Sequence, residues 1–74
     1  MTYGALQLRA EVEAELANGY EPARLAKRAF QIYFEQGRDM DPALDEAILR
    51  LIAMEEGPEF ELSEAEVLQL LDQL

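Results

Sequence analysis

Three breaks punctuate this chain and leave room for little except helices. Asn18-Gly19, then Gly37 with Asp41-Pro42, then Gly57-Pro58 divide its 74 residues into four stretches. Glycine and proline are poorly tolerated inside helices and accepted at their ends. Within each stretch apolar residues recur at three- and four-residue spacing, the repeat of one helical face. The sequence therefore reads as all-α, a small bundle of three main helices plus a shorter C-terminal helix, in one domain spanning 1–74.

The first helix is predicted from about Gly4 to Ala17, with Leu8, Val12 and Leu16 inward, Ala5 beside them, and Glu11 and Glu15 toward water. The second opens at Pro22 and runs to Gln36 before Gly37. Its apolar residues Ala23, Leu25, Ala26, Ala29, Phe30, Ile32, Tyr33 and Phe34 cover well over half the circumference, which marks it as the central helix. The third starts at Asp41-Pro42, with Asp41 as a side-chain cap, and ends near Glu56. Leu49 projects among Asp45, Glu46 and Glu56 and is predicted to stand in water. The fourth begins at Ser63, which forms a capping box with Glu66 while Leu62 staples onto Val67. Between the third and fourth helices, Phe60 and Leu62 alternate with Glu59 and Glu61, so a short extended link with inward apolar residues is expected. The predicted core is Phe30, Ile32, Tyr33, Phe34, Ile48, Leu51, Ile52, Val67, Leu70 and Leu71.

Charge is divided unequally along the chain. Up to Arg38 five acids are matched by five bases, whereas from Asp39 onward eleven acids face Arg50 alone, so the formal charge of -10 belongs wholly to the second half. A field of that sign draws in basic surfaces and repels nucleic acid and anionic membrane. Cysteine and histidine are both absent, which removes disulfides, thiolate metal sites and the commonest general base. No apolar run approaches the roughly 18 residues of a membrane span and no secretory leader is visible, so a cytoplasmic protein is expected.

Several chemistries fail on particular residues. A calcium loop beginning at Asp39 and using Asp41 needs an acceptor at Ala43, glycine at Leu44 and glutamate at Arg50. Arg24, Lys27 and Arg28 look like the start of a helix-turn-helix, but their helix continues through Phe34 and the next one is acidic, so direct nucleic-acid binding is not expected. These three bases form a secondary basic patch, expected to pair with first-helix glutamates or with acids of a second copy or partner. Thr2 and Ser63 are the only aliphatic hydroxyls and Lys27 the only lysine, so a nucleophile with its base cannot be assembled and no enzyme is expected. Acyl carrier proteins attach their arm to a serine within Asp-Ser-Leu; the corresponding Asp41-Pro42-Ala43-Leu44 has none. Leu62-Ser63-Glu64-Ala65-Glu66-Val67-Leu68 is similar in flavour to small acidic helical immunity proteins, a likeness that capping and amphipathicity alone generate.

What remains is binding. Glu55, Glu56, Glu59, Glu61, Glu64 and Glu66 place six carboxylates in twelve residues without a base among them. Helix-start chemistry and solubility account for part of this run. The rest reads as a docking surface for lysines and arginines of a larger protein, with Leu49 and Phe60 as apolar anchors. Such a face can also imitate the phosphate field of nucleic acid, which points to a polymerase or nuclease as the partner and to inhibition or modulation as the role. The competing reading is a structural homo-oligomer or an accessory subunit, packed through helix one or the exposed part of helix two. Neither reading calls for a cofactor or a metal.

Overall fold

Four α-helices account for most of the chain: α1 (Ala5–Ala17), α2 (Pro22–Gln36), α3 (Pro42–Ile52) and α4 (Glu64–Asp72). The computed structural model describes residues 3–74 apart from the side chain of Asp39; that aspartate's place in a calcium loop, and Thr2, lie outside the described residues. Three short 3-10 turns, Gly37–Asp39, Ala53–Glu56 and Pro58–Phe60, complete the connections.

Local chemistry sets the helix ends. Pro22 and Pro42 occupy first-turn positions, where a missing amide costs nothing. Between α1 and α2 the chain reverses through Gly19 at a φ of 93°, a left-handed geometry that glycine adopts without a Cβ clash. Asp41 is not a side-chain cap: it makes no such bond, and its carbonyl accepts from Asp45 N–H at 2.9 Å within the helical ladder. At α4 the reciprocal box is present, with Glu66 N–H donating to Ser63 Oγ at 3.1 Å and Ser63 N–H donating to Glu66 Oε1 at 2.8 Å.

The core draws on every helix: Leu8 and Val12 from α1, Leu25, Ala26, Ala29 and Ile32 from α2, Leu44, Ala47, Ile48 and Leu51 from α3, Met54, and Val67, Leu70 and Leu71 from α4. Burying a Leu, Ile or Val side chain contributes roughly 1.5–3 kcal/mol, so this cluster is the main source of cohesion. The most extensive helix pairing is α2 on α3.

Three core expectations on α2 are overturned. Phe34 is 83% exposed and Phe30 56%, and Tyr33 is exposed as well, at 37%. The side of α2 that turns inward carries Ala26 and Ala29, whose small side chains allow a neighbouring helix to come close. Ile52 is only half-buried. The radius of gyration, 11.2 Å, matches the roughly 11 Å of a well-packed chain of this length, so the bare aromatics do not arise from loose packing.

The link to α4 also departs from expectation. α3 ends at Ile52 and tightens into the Ala53–Glu56 turn, and Pro58–Phe60 closes a further 3-10 turn where an extended run was predicted. Phe60 N–H donates to Gly57 and Glu61 N–H to Pro58, each at 3.1 Å. A 3-10 turn has a side-chain period of three, which carries Phe60 outward to 47% exposure while Leu62 packs half-buried on the core.

Candidate functional site

The acidic segment from Glu55 to Glu66 is held in place by side chains that do not belong to it. The Tyr20 hydroxyl, from the α1–α2 turn, donates to the carbonyl of Leu62. Leu62 N–H in turn donates to the sulfur of buried Met54 at 3.4 Å, so both polar backbone groups of this residue have partners. With Leu62 pinned, the backbone on either side of it is held against the bundle.

Glu61, Glu64 and Glu66 lie near enough to that same tyrosine for their charges to act on it. Burial is the larger cause of a Tyr20 phenol pushed above its ordinary value, followed by the charges of Glu61, Glu66 and Glu64. Glu66 also closes the α4 capping box. The Glu59 carboxylate folds back over Gly57, where a Cβ would meet its oxygen at 3.2 Å. Glu55 and Glu56 are exposed on the 3-10 turn after α3. Leu49 is 44% exposed, but on α3 it lies roughly a third of a turn round from the Ala43, Ala47 and Arg50 row that borders α4.

The basic patch is largely committed inside the first half. Arg24 Nε donates to Glu15 at 2.8 Å, and its Nη2 reaches the carbonyls of Glu15 and Gly19, closing the exposed end of α1. A further contact joins Arg24 to Glu21 at 3.6 Å. Arg28 pairs with Glu11, whose other oxygen accepts from the Tyr3 hydroxyl. Burial, then this hydrogen bond, holds the Tyr3 phenol well above its ordinary range. Arg9 on α1 pairs with Asp72 on α4. Lys27 is exposed and takes part in no ion pair among the described residues.

The consequence for the second half is direct. Among the described residues, no ion pair involves a carboxylate from Asp41 to Glu66; Asp72 is the sole acid of that half that is paired. No three acids converge into a metal-holding group among the described residues, and no helix there is long and apolar enough to cross a membrane.

Two features escaped the sequence reading. The tethering role of Tyr20 has no local signature, since it depends on a residue far along the chain. The outward face of Phe30 and Phe34 did have one: an apolar surface covering more than half a helix exceeds what one buried face requires. Compared with known protein families, with curated proteins and with solved structures, the chain matches none.

Proposed function

We propose that this chain is a non-enzymatic, cytoplasmic interaction module that docks its acidic segment on a basic surface of a larger protein and thereby modulates or inhibits it. Surfaces built to hold phosphates, such as those of a polymerase or nuclease, fit the chemistry best. The mechanism is occupation: Glu55, Glu56, Glu59, Glu61, Glu64 and Glu66 pair with lysines and arginines that otherwise hold nucleic acid, and Phe60 adds desolvated area at the centre.

The observation that carries this reading is the commitment of Arg24 and Arg28 to glutamates of α1 and the adjoining turn, which leaves the acids from Asp41 to Glu66 without ion-pair partners among the described residues. The test is affinity capture with the intact chain beside two triple variants of equal net charge. Reversing Glu59, Glu61 and Glu64 to lysine should abolish capture of basic partners, while reversing Glu13, Asp41 and Glu46 should preserve most of it. Equal loss in both would reduce the effect to net charge, and retention in the first would move the site elsewhere.

A further inference from the structure

The outer face of α2 is the largest apolar feature that the acidic segment does not explain. Phe30 and Phe34 lie one turn apart on it, and a shallow hollow between them is bounded by Gln31 and Glu35. We propose that this face binds the same face of a second copy, α2 against α2 in antiparallel, with the two-fold axis passing at Gln31.

Charge complementarity selects that occupant. Lys27, Gln31 and Glu35 follow one another at four-residue spacing along one edge of the face, all exposed. Lys27 and Glu35 are two turns apart, about 12 Å along the axis, too far to pair within one helix. Neither takes part in an ion pair among the described residues. In an antiparallel two-fold pair, the same edge of each helix meets itself. Lys27 then lies opposite Glu35 of the second copy, Gln31 opposite Gln31, and Glu35 opposite Lys27, so a row reading basic, neutral, acidic is its own complement. On the apolar side the same register sets Phe30 between Phe30 and Phe34 of the second copy, so that the rings interleave along the shared face. A helix of 15 residues offers little more than the minimum for a specific interface, so a weak, concentration-dependent association is expected.

Such a dimer carries two acidic segments, one per copy, and leaves both available. The interface and the docking segment share no residue, which makes their failures separable.

Sedimentation equilibrium of the intact chain tests the proposal. A monomer–dimer equilibrium that stops at two is expected; a monomer throughout, or open-ended growth beyond two copies, overturns it. Phe34→Glu should weaken the dimer by roughly thirtyfold. Its helical spectrum should be unchanged and its capture of basic partners retained per copy. Lys27→Glu and Glu35→Lys should each weaken the dimer by about tenfold through like charges at two symmetric positions, and the double variant should restore it. A dimer indifferent to Phe34→Glu, or a double variant no better than the singles, would overturn the antiparallel register.

Discussion

The Tyr20 hydroxyl donates to the carbonyl of Leu62, 42 residues further along the chain, and so ties the neutral half of the protein to its acidic segment. Tyr20→Phe removes this donor while keeping the ring. Loss of one such bond with its acceptor left part-buried should cost about 1–2 kcal/mol in denaturant unfolding. Exchange of the amides from Glu59 to Leu62 should quicken more than exchange in α2, and equal protection across both regions would deny the tether its role.

Stability should fall at alkaline pH because of two phenols. In the unfolded chain Tyr3 and Tyr20 ionise near 10.0, whereas in the folded chain each keeps its proton to higher pH. Above that pH unfolding releases protons, so the stabilisation is complete below pH 10 and is lost as pH rises through the folded values. A thermal midpoint followed from pH 8 upward should show the decline, and Tyr3→Phe with Tyr20→Phe should flatten it.

Moderate salt should raise the thermal midpoint of the isolated protein. Carboxylates from Asp41 to Glu66 repel one another without ion-pair partners among the described residues, and screening at a Debye length of about 8–10 Å relieves that repulsion. A midpoint that stays level or drops between low and moderate salt would mean that the charges are compensated.

The start of α4 should depend on its cap. Ser63→Ala leaves Glu66 N–H without its side-chain acceptor and should cost about 1 kcal/mol, with fraying confined to the first turn of the helix. Chemical denaturation gives the magnitude, and amide exchange at Ala65 to Val67 gives the location.

A contrast between two apolar positions tests the assignment of the core. Leu8→Ala empties a fully buried site and should destabilise by about 2–5 kcal/mol, whereas Phe34→Ala should change monomer stability by no more than about 0.5 kcal/mol. If the two losses were similar, α2 would be turned about its axis relative to the arrangement described.

Features governed by neighbours in sequence were legible before any coordinates. Ser63 and Glu66 announced their box and Pro22 and Pro42 fixed two helix starts, while of the three bases expected to meet first-helix glutamates or acids of another chain, Arg24 and Arg28 take the first course and draw Glu15 and Glu11 partly out of water, and Lys27 does not. Failures came where competing surfaces had to be ranked. With apolar side chains on most of α2, periodicity alone cannot say whether alanines or phenylalanines turn inward, and it is Ala26 and Ala29 that are buried. Phe60 was misplaced because Pro58 closes a turn of period three where alternation of period two was assumed. In the candidate site, the run from Glu55 to Glu66 could be read directly, but its anchoring through Tyr20 could not.

Arg24 closes the end of α1 while binding Glu15, and Arg28 holds Glu11, so the clasp between the first two helices draws nothing from the carboxylates further on. Scaffold and exterior are thereby independently mutable. A lineage, or an engineer, can rewrite the sign and spacing of side chains between Glu55 and Glu61 to suit a new target while the α1–α2 brace that supports them stays as it is.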